Sequence, residues 1–316
     1  MHGNPKTASV GNLKLNIAKQ SPVRPGLVSN LLLAAIGSIV AIGFLGYLAV
    51  LIRPDASTAA VSVDVVGVYC AAGVAQPVKQ LADSFNNQSD YRIEISRIGG
   101  SGELAGQIKL ESESDLLSPA RLFITNDEQL LSQTSMQGIF ESQIALAVQR
   151  PVIAVSAEGA KNGIELAGIP ALLQESGIKF GVASKRAAVG SLARKIAADH
   201  KVLSRLESSK TLDAENVMVL AQALVTKSID AAVIWDTTLK QINEQSESPI
   251  LKTAGPADPD DKTSGNVTVA IVATSGKPSP GAKAFADFLK AKKFGGKVFK
   301  RFGFDPIEQT SSNSSQ

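Results

Sequence analysis

The sequence predicts an α/β fold of two lobes, each a mostly parallel sheet flanked by helices, preceded by one transmembrane helix. Three observations lead there. From Val61 to Phe304, β-branched and apolar runs of strand length alternate with helical patterns, the signature of β-α-β units and a parallel sheet. The apolar run Ile144 to Val155, broken by Arg150-Pro151, is long for one strand and reads as a segment that leaves one lobe and enters the other. Between Asn30 and Ile52, about 23 residues carry no charge, enough at about 1.5 Å per helical residue to cross a hydrocarbon core of about 30 Å.

Composition narrows the chemistry. A chain of 316 residues that is 44% hydrophobic and 19% charged can fill two globular domains. A net charge of +3 implies no nucleic-acid partner. The single cysteine, Cys70, excludes an intrachain disulfide and reads as a buried strand-end residue, while two histidines, His2 and His200, exclude a His-rich metal cage or a pair of catalytic histidines. No cofactor is expected.

Residues 1–29 hold four bases (Lys6, Lys14, Lys19, Arg24) and no acid, and read as a flexible cytoplasmic tail. Because those bases precede the apolar segment 30–52, everything after it is expected on the far side of the inner membrane. The segment is long for a signal peptide, which favours an uncleaved single-pass anchor; Ser57-Thr58-Ala59 just beyond it would suit a signal peptidase. Residues 53–60 form a linker. The body opens with a buried strand, Val61 to Tyr69, and a helix, Gln76 to Phe85, with Pro77 in its first turn. Strand Tyr91 to Ile98, helix Glu103 to Lys109, strand Leu122 to Thr125 and helix Asp127 to Ser132 continue the alternation.

After the crossing come helix Ile169 to Glu175, strand Lys179 to Ala183, helices Gly190 to His200 and Ala214 to Lys227, and strand Ala231 to Trp235. Residues 249–266, rich in Pro, Asp, Gly, Ser and Thr, read as a return linker to the strand Val267 to Ala273. Helices Pro280 to Lys290 and Lys292 to Phe302 close the body, and 310–316 read as a disordered tail. Lobe 1 is thus expected over 61–145 and 267–309, and lobe 2 over 146–248.

Four strand-to-helix turns share one chemistry: Ala71-Ala72-Gly73-Val74, Gly99-Gly100-Ser101-Gly102, Ala187-Ala188-Val189-Gly190 and Glu215-Asn216-Val217. The first amides of a helix have no intrahelical acceptor, glycine lets a ligand come close, and the helix dipole favours negative charge there. Convergence of such turns makes an anion site that needs no counter-charge.

The segments VYCAAGVAQPVKQLADSF, IGGSGELAGQI, RPVIAVSAEGAKNGIEL, KFGVASKRAAVGSLARK, ENVMVLAQALVTKSIDAAVIW and AKAFADFLKAKKFGGKVFKRFGF resemble, in that order, the periplasmic molybdate-binding proteins of ABC transporters, of the type II periplasmic binding protein fold. The resemblance implies that a tetrahedral oxyanion, molybdate or tungstate, is held between the lobes by hydrogen bonds with no cation, and is passed to a transporter permease. It implies contacts at Gly73 and Val74, Ser101, Val189, Val217 and Trp235. Two positions depart from the family pattern: Gly73 stands for a donor serine, and Trp235 for a tyrosine. They leave phosphate or sulfate as alternatives. Asp236, next to Trp235, would repel a dianion if it faced the cleft and would cap a helix otherwise.

An enzyme is not expected. No Ser/His/Asp set, HExxH or CxxC is present, Gly99 to Gly106 lacks the Gly-Lys-Ser/Thr close of a P-loop, and His200 reads as a solvated residue at a helix end. A membrane-tethered ligand sensor is the other reading, although the short tail holds no signalling domain.

Overall fold

The computed structural model describes residues 64–114, 120–157, 165–273 and 279–307. The basic tail, the apolar segment 30–52, the linker 53–60 and the tail 310–316 lie outside them. Among the described residues no helix is long and apolar enough to cross a membrane.

In lobe 1, strand β1 (Val65–Ala71) leads through a 3₁₀ turn (Ala72–Val74) into α1 (Ala75–Asn86), then β2 (Arg92–Gly99), α2 (Ser101–Glu113), β3 (Ala120–Thr125) and β4 (Phe140–Gln149). Lobe 2 holds β5 (Pro151–Ser156), α3 (Ile169–Leu172), β6 (Phe180–Ala183), α4 (Ala188–Asp199), α5 (Leu203–Ser209), β7 (Leu212–Ala214), α6 (Val217–Val225), β8 (Ala231–Trp235), α7 (Asp236–Glu244) and β9 (Leu251–Pro256). The chain then re-enters lobe 1 with β10 (Gly265–Val272), α8 (Pro280–Lys290), α9 (Lys297–Arg301) and β11 (Asp305–Pro306).

The strand orders are β11-β4-β10-β3-β1-β2 and β7-β6-β8-β5-β9. Parallel pairing is confined to β2-β1-β3 and to β7-β6-β8; the other pairs are antiparallel. The expectation of mostly parallel sheets is corrected accordingly. The strands that carry the chain between lobes, β5 and β10, enter their sheets directly from the other lobe and run against their neighbours, with no crossover helix to reverse them.

Strand β1 reads as a continuous apolar run because both faces of its sheet are covered. Val66, Val68 and Cys70 face α1 and α8 among Leu81, Phe85 and Phe285, whereas Tyr69 packs on the other face with Leu104 and Ile108 of α2 and Phe123 of β3. The rings of Phe85 and Phe285 meet edge to face at 5.2 Å. Lobe 2 has its own core, built around Ile153, Val182, Val189, Leu220 and Ile234.

Three local expectations change. Residues 249–266 include a strand, β9, paired with β5; as an edge strand it tolerates Pro256, and inward Leu251 and Ala254 alternate with exposed Lys252 and Thr253. Residues 127–132 form no α-helix but a 3₁₀ turn, Glu128–Leu130, capped by the Asp127 carboxylate on the Gln129 N–H, with another at Thr134–Met136. The last helix starts as a π turn, Lys292–Gly296, where a Cβ on Gly295 would stand only 1.7 Å from the Leu289 carbonyl oxygen.

The lobes are joined at Arg150, between β4 and β5, and over residues 257–264, between β9 and β10. At the first crossing the Arg150 N–H donates to the Asp236 carboxylate at 2.9 Å, and the Asp236 N–H donates to the Arg150 carbonyl at 2.9 Å. The Arg150 guanidinium reaches Asp305 of β11 at 2.8 Å. At the second crossing Asp258 accepts from the Asp260 N–H at 3.1 Å and from the Thr263 hydroxyl, with His200 Nε2 3.4 Å away. His200 is therefore paired and only partly exposed, not the solvated helix end expected.

A candidate oxyanion site between the lobes

The parallel strands of the two lobes end toward one another, and a small cavity lies where they meet. In lobe 1 it is lined by the turns after β1 (Ala71, Ala72, Gly73), β2 (Gly99, Gly100, Ser101) and β3 (Asn126). In lobe 2 the lining comes from the turns after β6 (Ala187, Ala188, Val189) and β7 (Asn216, Val217), and from Trp235 at the end of β8. Carboxyl ends of parallel strands are where open α/β sheets bind their ligands. Gly73, Ser101, Val189, Val217 and Trp235 thus line one space. Val74 does not; its side chain belongs to the core of lobe 1.

Three helices of 13, 12 and 9 residues begin at the cavity, α2, α4 and α6. Among the described residues the backbone N–H groups of Ser101, Val189 and Val217 have no acceptor within the protein. The Ser101 hydroxyl oxygen accepts the Asn126 N–H at 3.2 Å, so its own hydrogen is left to donate elsewhere. The Asn216 side chain caps α6 by accepting from the Met218 and Val219 N–H groups at 3.0 and 3.2 Å, and leaves the Val217 N–H open. Gly190 lets the first turn of α4 sit on the end of β6: a Cβ there would lie 2.2 Å from the carbonyl oxygens of Ala183 and Ser184. That contact fixes where Val189 points its amide.

Among the described residues no Asp, Glu, Lys, Arg or His lines the cavity. The Asp236 carboxylate is turned away, accepting from the Arg150 and Thr237 N–H groups, and burial raises its pKa. Among the described residues no cluster of three His, Cys, Asp or Glu is placed to hold a metal ion. The arrangement is a set of neutral donors suited to negative charge.

The space is compact, about 10 Å³ against about 280 Å³ for a second interlobe cavity that shares Asn126, Ala188 and Trp235 with it and adds Asp127, Glu128 and Lys195. As it stands it has room for about one water-sized group. The lobes touch directly beside it, where the Gly102 N–H donates to the Arg186 carbonyl across the cleft at 2.7 Å. The indole of Trp235, 1% exposed, lies between two glycines: a Cβ on Gly265 would come within 2.5 Å of its Cη2, and one on Gly73 within 3.3 Å of its Cδ1.

Asn126 is the lining residue that sequence reasoning passed over. Its signal was its place directly after the apolar run Leu122 to Thr125, the position at which a parallel strand hands a side chain to the cleft.

A family model for bacterial extracellular solute-binding proteins matches residues 66–305. Among solved structures, the periplasmic molybdate-binding protein of Azotobacter vinelandii superposes with a TM-score of 0.61 at 18% identity, covering 77% of this chain and 100% of that one. A sulfate-binding protein of Mycobacterium tuberculosis does so with a TM-score of 0.63 at 16% identity, over 78% and 88% of the two chains. A periplasmic binding protein of Actinobacillus pleuropneumoniae with bound fructose-6-phosphate gives 0.63 at 17% identity, over 78% and 87%. Identities this low show the fold alone. No curated protein matches the sequence.

Proposed function

Since the chain belongs to the bacterial extracellular solute-binding proteins, we propose that it captures a small tetrahedral oxyanion in the cleft between its lobes and delivers it to the permease of an ABC transporter, tethered to the membrane by residues 30–52. The observation that carries this reading is the meeting of the free first amides of α2, α4 and α6 and the Ser101 hydroxyl at one cavity without a charged side chain. A deprotonated oxyanion has acceptors only, and donors without counter-charge match it. Each helix end adds roughly 0.3 to 1 kcal/mol and charge-assisted hydrogen bonds add more, which is compatible with micromolar binding.

Molybdate and tungstate are the ligands that the sequence resemblance favours. Phosphate and sulfate form a second reading, favoured by Gly73 and Trp235, which alter the donor set and the shape of the cavity. Calorimetric titration of the full chain against all four ions tests the function. Saturable binding of at least one is expected, and Ser101→Ala should weaken it by about 1.5 to 3 kcal/mol, the range for a hydrogen bond to a charged partner. Unchanged affinity in that variant would remove Ser101 from the site.

A further inference from the structure

Asn126 stands at the end of β3 with 4% of its surface exposed, and it lines the small cavity. Its backbone N–H is used on Ser101, but its side chain is not accounted for. The side-chain oxygen Oδ1 is buried, and among the described residues no donor reaches it. The amide nitrogen Nδ2 lies 2.9 Å from where a Cβ on Gly73 would be, beside the first anion-binding turn.

A side-chain amide has one acceptor end and one donor end whichever way it is turned. The other polar groups that meet at the cavity, the amides of Ser101, Val189 and Val217 and the Ser101 hydroxyl, are free to donate. Asn216 has spent its carbonyl on capping α6. Asn126 therefore adds an acceptor to a ring of donors, and a buried acceptor without a partner is costly unless the ligand brings one. An ion with acceptors alone can use only the amide nitrogen and leaves the amide oxygen without a donor. An oxyanion with one hydroxyl can donate to the amide oxygen and accept from the amide nitrogen.

We propose that Asn126 is a specificity-determining contact of the cleft, and that it selects a tetrahedral oxyanion that keeps one proton, hydrogen phosphate being the simplest, over sulfate, molybdate and tungstate, which carry none at neutral pH. The inference rests on the oxyanion reading above and orders the ligands which that reading placed side by side.

The test is titration of the full chain with phosphate, sulfate and molybdate in a mildly alkaline buffer, for the wild type, Asn126→Leu and Asn126→Asp. The wild type should bind phosphate at least about tenfold more tightly than either other ion, the effect of one buried acceptor satisfied or left without a donor. Asn126→Leu, similar in shape but without polar ends, should lose about tenfold in phosphate affinity and little in sulfate affinity, so that the preference collapses. Asn126→Asp keeps the acceptor and should keep phosphate ahead of sulfate while weakening both. Sulfate or molybdate bound by the wild type as tightly as phosphate, or a preference that survives in Asn126→Leu, overturns the assignment to Asn126. Binding of none of the three by the wild type would instead overturn the oxyanion reading itself.

Discussion

Gly73 and Trp235 share one volume. A Cβ on Gly73 would meet Asn126 Nδ2 at 2.9 Å and both Trp235 Cδ1 and Val217 Cγ1 at 3.3 Å, so a serine at 73 needs the Asn126 amide to move aside and the indole and Val217 to give by a few tenths of an ångström. Gly73→Ser alone should therefore weaken oxyanion binding, although it adds a hydroxyl. With Trp235→Tyr, which shortens the opposing ring, the same serine should become tolerable or favourable. A double-mutant cycle read by calorimetry should give a coupling of about 0.5 to 3 kcal/mol in favour of the pair; additive effects would mean that the two positions do not compete. At this scale the sequence was partly legible. The turns holding Gly73, Ser101, Val189 and Val217 stood out by their glycines and small residues next to helical patterns, and the resemblance then singled out the residues within them. Asn126 did not stand out. Directly before Asp127-Glu128-Gln129 it resembles the opening of a helix, and no local pattern tells an asparagine that lines a cavity from one that caps.

Helix α2 carries two roles at its first turn. Ser101 offers its amide and hydroxyl to the cavity, while the next residue, Gly102, donates its N–H to Arg186 of the facing lobe at 2.7 Å. A Cβ on Gly102 would lie 2.7 Å from that same carbonyl oxygen, a backbone atom that cannot swing aside. Gly102→Ala should hold the lobes apart by a small amount. The expected result is weaker ligand binding with thermal stability little changed, since the site is at a helix start where alanine is well tolerated; a variant that binds as the wild type does would show that this contact is not needed for closure. The elements most easily read were those buried on both faces, such as β1 and β8, whose composition leaves no other state. Strand β9 was hidden because Gly255 and Pro256 suggest a loop, and only its pairing with β5 at the sheet edge makes it a strand. The turns at 128–130 and 292–296 were read as α-helix because a short 3₁₀ or π segment has too few residues to reveal its period.

Among the described residues the backbone crosses between the lobes at two places, Arg150 and residues 257–264, and the cavity takes its lining from both sides. A ligand held by both lobes stabilises the closed arrangement by the difference in its affinity for closed and open forms. Ligand should reduce the radius of gyration in small-angle scattering and change the fluorescence of Trp235, the only tryptophan in the chain. Saturable binding with neither signal altered would place the ion on one lobe. The Arg150-Pro151 break was readable because proline interrupts a strand ladder, whereas the return path was not, its boundary depending on which sheet takes up residues 251–256. The indole set between Gly73 and Gly265 has one more implication, for how this site can diverge in evolution. A side chain at 265 collides with the ring, whereas one at 73 only presses on it, so the tryptophan must shrink before position 265 can grow. A sequence walk from this cleft to one with a side chain at 265 has to pass through residue 235 first.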